Sequence, residues 1–285
     1  MAADQMQKTV KREAALSGAG LFTGENGSIQ LFPADPGTGI VFERTDLPTK
    51  PVIPARLEFV RDTFRSTRLA TEAASLCMVE HLLAALSAYE IDNVRIAVEG
   101  PEIPACDGSS KAFADLLDEA GVQAQDEPKE VLRVEQPLFW SEGGIHLVAL
   151  PSEDFRITYT LHYPQSKLIG SQHYSFQVNR EGFKAEVASC RTFALYEEIA
   201  PLIEKGFIKG GRLENAVIVK GDSVLNPEGL RFGNEMVRHK VLDLIGDLKL
   251  IGKSLKAHII SICSGHTSNI ALAQMLSRAA LRGER

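Results

Sequence analysis

The chain is poor in features that would mark it for the cell exterior, a membrane or a nucleic acid. It has four cysteines, Cys77, Cys106, Cys190 and Cys263, scattered with no C-x-x-C pair. That spacing speaks against a disulfide frame and against a cysteine zinc site, and reduced thiols suit the cytosol. No segment approaches the ~18 consecutive apolar residues of a membrane span, so stable membrane insertion is not expected. The opening stretch MAADQMQKTVKREAALSGAG lacks the apolar core of a secretory signal. A cytoplasmic protein is therefore expected. Net charge is −6 with no long basic run, which disfavours a nucleic-acid surface.

What is present is ordinary for a soluble globular protein. Hydrophobic residues make up 44% and charged residues 24% of 285 positions. That length supports one or two domains with a large core. Residues 8–60 alternate polar and apolar in short runs broken by turns, as antiparallel strands do. A helical stretch covers 74–90, DNVRIAVEG returns to strand, and PEIPACDGSSKAFADLLDEAG reads as a turn and a second helix. The polar, acidic segment 122–131 is the best linker candidate. The second part repeats the order: strands, a helical stretch RTFALYEEIAPLIEKG, short strands, then helix, strand and helix. Two α+β domains of similar build are expected, at about 1–125 and 130–285.

The chemistry concentrates in VRHKVLDLIGDLKLIGK, residues 237–253. Val237, Val241, Leu244, Ile245, Leu248 and Ile251 form an apolar arc at the helical period. His239 and Asp243 stand on the opposite side, with Asp247 one turn further on. There are no glutamate–lysine pairs. Residues four apart are neighbours on a helix, so His239 and Asp243 can hold one ion. Taken alone, such a pair is also what a solvated helix face carries. In SLCMVEHLLAALSAYE the arc is Leu76, Val79, Leu83 and Leu86, and His81 points away from it between small residues. If the two helices meet at a domain interface, His81, His239 and Asp243 form a two-histidine, one-carboxylate site. Glu80 beside it has the character of a general base. His266, in SGHTSN at a helix start, reads as an acid or electrostatic stabiliser, with Asp247 as its natural partner.

These residues and their surroundings resemble one family, the UDP-3-O-acyl-N-acetylglucosamine deacetylases of lipid A (lipopolysaccharide) synthesis. The resemblance runs through VEHLLAALSAYEIDNVRIAVEGPEIPACDGSS, SCRTFALYEEI, KGGRLENAVIVKGDSVLNPEGLRF, VRHKVLDLIGDLKLIGK and SGHTSNIALAQML, and covers nearly the whole chain. It implies two layered β-α-α-β domains with the active site between their helices. It implies Zn²⁺ bound by His81, His239 and Asp243, Glu80 as base, and His266 as the charged partner with Asp247 behind it. By the same resemblance Thr192 donates to the oxyanion, Phe193 lies beside it, and Lys240 sits near the substrate's anionic part. An insert at about 194–212 would form a passage for the acyl chain, lined by Ile199, Leu202, Phe207 and Ile208. The substrate would be a UDP-sugar carrying an acyl chain, and the protein a monomer. Two positions depart from the family pattern: Phe22 stands where a histidine is usual, and Met78 where a threonine is usual. The same ligand triad also serves non-haem iron enzymes, and a non-catalytic metal-binding homologue would keep the fold.

Overall fold

A computed structural model describes residues 5–283. Strands Ala14–Ala19, Asn26–Pro33, Ile40–Arg44, Val52–Pro54 and Val94–Glu99 form a five-stranded sheet. Their spatial order is first, second, last, third, fourth. All neighbours are antiparallel except Ile40–Arg44 with Val94–Glu99, which run parallel. Leu138–Glu142, Ile145–Leu150, Phe155–Tyr163, Gly170–Gln177 and Ser254–Ile262 follow the same order with the same single parallel pairing. A short strand, Val131–Arg133, runs parallel to the start of Ser254–Ile262.

Each sheet carries two helices in matching places. Helix α1 (Glu80–Ala88) precedes the last strand of the first sheet and α2 (Lys111–Ala120) follows it. After an intervening helix, α3 (Tyr196–Glu204), the second half has α4 (Glu235–Lys249) before its last strand and α5 (His266–Gly283) after it. Fold class is thus mixed α+β, built twice over. None of the described helices is long and apolar enough to cross a membrane.

Helices α1 and α4 pack face to face, and a single hydrophobic cluster runs through both halves. That packing changes the meaning of the amphipathic patterns. All of α1 except Ser87 is buried, as are Glu80 and His81 at its start. On α4 the polar stripe is not the water side: His239, Asp243 and Asp247 are all buried. The close approach requires Gly246, where a Cβ would lie 2.0 Å from the Glu80 carbonyl oxygen.

Three expectations change. The helix expected from residue 74 starts at Glu80, because Ser75–Leu76 is a strand and Met78 has a left-handed φ of 63°. The stretch expected as a linker is strand Val122–Pro128, paired antiparallel with Met6–Val10. The stretch read as helix from 191 begins with strand Phe193–Leu195 before α3.

Each half also carries an insert between its fourth strand and its seam helix. The first is a small antiparallel sheet of Val60–Asp62, Arg68–Ala70 and Ser75–Leu76. The second pairs Phe193–Leu195 in parallel with Val217–Lys220, which pairs in turn with Ser223–Val224, and includes α3. It therefore extends past 212.

Candidate active site

The first turn of α1 and the middle of α4 bring His81, His239 and Asp243 together. Their nitrogen and oxygen donor atoms lie within 4.8 Å of one another. Asp243 Oδ1 is 3.6 Å from His81 Nε2 and 3.3 Å from His239 Nε2. The two imidazole rings are 5.0 Å apart and perpendicular. These separations suit a cation, since the edge of a tetrahedron with bonds of ~2.0–2.1 Å is about 3.3 Å.

A second observation supports the fit. Asp243 Oδ1 is buried and has no hydrogen-bond partner among the described residues. A buried carboxylate oxygen without a donor is costly, so a cation in the cradle removes a real penalty. The rest of the cradle is held. His239 Nδ1 is 3.0 Å from the Cys190 carbonyl oxygen, which it meets as a donor, leaving Nε2 as the free lone pair. Asp243 Oδ2 accepts from Lys240 Nζ at 2.7 Å. Burial lowers the His239 imidazole to about 4, favouring the neutral, ligating form. For Asp243, burial works upward but the charges of His239 and Lys240 hold it well below the usual carboxylate range.

Beside this cradle stand two further groups on opposite elements. Glu80 heads α1, is 1% exposed, and is pushed upward chiefly by burial. His266 heads α5, with Nδ1 2.9 Å from Asp247 Oδ2 and Nε2 4.0 Å from Glu80 Oε1. Burial works against the imidazolium, yet the Asp247 carboxylate raises His266 to about 9. Asp247 Oδ2 also accepts from Asn269 Nδ2 at 2.8 Å. Asn269 is oriented by Ser264, whose hydroxyl donates to Asn269 Oδ1 at 2.7 Å.

The segment 190–193 wraps onto His239. Cys190 supplies the carbonyl, Arg191 is buried against Glu235, and the Phe193 ring meets the His239 ring edge-on at 6.5 Å. Thr192, half-buried between them, is anchored through its backbone N–H to the Gly108 carbonyl at 2.8 Å. Phe193 also lines an apolar cavity of about 260 Å³, together with Phe22, Ile199, Ile203, Ile208 and Ile218. The loop bearing Phe22 is tied to the second insert: Phe22 and Leu21 carbonyls accept from the Lys209 and Gly210 amides. Gly210 must lack a side chain, since a Cβ would lie 1.9 Å from the Gly20 carbonyl oxygen.

Most residues singled out from the sequence thus converge: His81, His239, Asp243, Glu80, His266 and Asp247 in the seam, and Thr192, Phe193, Ile199 and Ile208 along its flank. Two do not line the cavity as expected: Leu202, half-buried on α3, is absent from its wall, and so is Phe207. Phe207, just after the turn at 205–206, is 56% exposed and lies outside the cavity lining. The Lys240 Nζ is held by Asp243 Oδ2 at 2.7 Å, beside the cradle. Residues not foreseen are Thr67, Asn269 and the Cys190 carbonyl. Asn269 was within reach, three residues beyond His266 on one helix face.

Two imidazoles and a carboxylate around one point, with a buried carboxyl and a charged imidazole alongside, are the equipment of metal-assisted hydrolysis. Comparison with known sequences leads to a member of that class. The pattern of the UDP-3-O-acyl N-acetylglycosamine deacetylase family matches residues 7–278, and the chain belongs to this family. Among its relatives, the UDP-3-O-acyl-N-acetylglucosamine deacetylase of Chlamydia pneumoniae is 46% identical over 277 residues, covering 97% of this chain and 98% of the relative. Those of Chlamydia muridarum and Chlamydia abortus are 48% and 47% identical, each over 96% of this chain and covering 95% and 97% of the relative.

Proposed function

We propose that the chain hydrolyses the N-acetyl group of UDP-3-O-acyl-N-acetylglucosamine, releasing acetate and UDP-3-O-acyl-glucosamine, with Zn²⁺ held by His81, His239 and Asp243. The setting is cytoplasmic lipid A synthesis. The protein acts as a monomer, since one chain supplies every group of the seam. A divalent ion in the cradle supplies Lewis-acid chemistry, acidifying water and polarising a carbonyl.

The chain's own residues do the rest. Glu80 Oε1 takes the proton of the attacking water, and burial tunes the carboxyl upward for that task. His266 Nε2 presents positive charge to the developing tetrahedral centre and then protonates the departing amine. Asp247 keeps that imidazole charged and oriented. The Thr192 hydroxyl donates to the oxyanion, an interaction that counts for more in a buried site. Lys240 holds Asp243 on one side and lies towards the anionic part of the substrate. The acyl chain enters the apolar cavity past Phe193, Ile199 and Ile208.

The observation that carries this reading is the orphaned Asp243 Oδ1 between two imidazole nitrogens, with Glu80 and His266 beside it. The test is acetate release from the UDP-sugar by protein stripped with a chelator and reloaded. Activity should vanish on stripping and return with one equivalent of Zn²⁺. Active protein that contains no metal would sink the assignment.

A further inference from the structure

We propose that Thr67, on the insert of the first half, is a positioning residue that holds the Glu80 carboxylate and the Asp247–His266 pair in register across the seam. The inference rests on the catalytic reading above and adds a residue to it. Thr67 is fully buried and sits just before strand Arg68–Ala70. Its backbone N–H donates to Glu80 Oε2 at 3.0 Å. Its hydroxyl donates to Asp247 Oδ1 at 2.5 Å. One residue thus donates to two buried carboxylates that come from different halves of the chain.

Each bond selects an oxygen. With Glu80 Oε2 taken by the Thr67 amide, Oε1 is the oxygen left facing His266 Nε2, 4.0 Å away. With Asp247 Oδ1 taken by the Thr67 hydroxyl, Oδ2 is left to receive His266 and Asn269. The two carboxylates, both held by Thr67, also repel each other. Donors from one residue to both draw them into a fixed relation despite that repulsion. Without the hydroxyl, Asp247 Oδ1 would be a buried oxygen with no donor, and the carboxylate would no longer be fixed about its Cβ–Cγ bond. His266 follows Asp247, so the acid would leave its line with the base.

Thr67→Val removes the hydroxyl and keeps the amide, the β-branch and nearly the same volume. Glu80 and His266 act on the transition state, so the loss belongs in kcat and not in KM. A misplacement of ~1 Å costs about 10²-fold, so a kcat loss of roughly 10- to 100-fold is expected. KM and metal content should stay near wild type, the melting temperature should fall by no more than several degrees so that the protein stays folded in the assay, and Thr67→Ser should restore most of the rate. In the metal-free protein, NMR should show the His266 imidazolium of Thr67→Val titrating at higher pH. Asp247, with one donor fewer, concentrates its charge on the imidazolium. A Thr67→Val enzyme with unchanged kcat overturns the proposal. So does a Thr67→Ser enzyme as impaired as Thr67→Val, or a rate loss that tracks lost metal or lost stability. If the wild-type protein itself releases no acetate, the catalytic reading fails instead, and the imidazole titration still decides whether Thr67 sets the Asp247–His266 pair.

Discussion

The first half hangs three short antiparallel strands on its frame, where the second half hangs a mixed sheet and helix α3. The frames themselves share strand order and helix placement. The first insert is thin and turns a polar hook, Thr67, into the seam. The second is bulky and encloses apolar space from Phe193 to Ile218. The difference separates two tasks. The shared frame brings α1 and α4 together, the first insert braces the groups of the seam through Thr67, and the second insert supplies the apolar space beside them. Substitutions in the frame should then change metal content or rate, and substitutions in the second insert should change substrate affinity.

The largest effect is expected at the ligands. Asp243→Ala removes the carboxylate between the two imidazoles, so bound metal and activity should both fall to background, as read by metal analysis and acetate release. Retention of one equivalent of metal would contradict the assignment of Asp243. Next comes Glu80→Gln, which keeps shape and metal but removes the base. Its kcat should drop by roughly 10²–10⁴-fold, the range for a positioned base. A kcat near wild type with metal bound would end the role assigned to Glu80.

The frame itself can be challenged at Gly246. Gly246→Ala drives a methyl into the Glu80 carbonyl, with no flexible side chain to yield. Overpacking of this kind costs about 1–3 kcal/mol, which for a chain of this size lowers Tm by several degrees. It should also lower kcat, because the carbonyl belongs to Glu80, the proposed base. Wild-type melting and rate would show that the seam is looser than its backbone contact implies.

A smaller effect concerns pH. His266 is raised to about 9 against an ordinary value of about 6.5. Stabilisation from its pairing with Asp247 is thus fully present below about pH 6.5 and lost as pH climbs through about 9. The Tm difference between wild type and His266→Gln should therefore shrink between those pH values. The basic limb of the rate profile should move to lower pH in Asp247→Asn. A Tm difference independent of pH would remove the charged imidazolium from the argument.

Much of this site was legible because its residues recur at helical spacing: His239, Asp243 and Asp247 lie four apart on one helix, and E-H opens the other. The repeat of strands and helices was visible as well. What the pattern could not tell was which side of α4 faces water. Periodicity separates polar from apolar faces, but a polar face buried against a second helix looks the same as a solvated one. The start of α1 was misread because Met78 adopts a left-handed conformation that a non-glycine residue does not announce. Thr67 left no trace, since a threonine before a strand is ordinary and its two partners are distant in sequence. Phe207 and Leu202 were chosen for being apolar, which does not distinguish a cavity wall from an exposed turn or from another side of a helix.

The mildest expected effect tests the boundary between frame and insert at Phe22. Its amide donates to Glu102 Oε1 at 2.8 Å and its carbonyl accepts from the Lys209 amide at 3.1 Å, so its backbone is clamped on both sides. The ring is thereby held against the apolar cavity. Phe22→His keeps the clamp and exchanges part of the apolar wall for a polar edge. Loss of about 1 kcal/mol of apolar contact would raise KM for the acyl substrate roughly fivefold, with kcat little changed. An imidazole on the cavity wall that Phe193 shares would also add a nitrogen ligand, so less added Zn²⁺ should be needed to halve activity. The measurements are KM across acyl lengths and a Zn²⁺ inhibition curve for both proteins. An unchanged KM would place the acyl chain elsewhere. An unchanged inhibition curve would mean that the histidine usual at this position has no part in binding excess metal here.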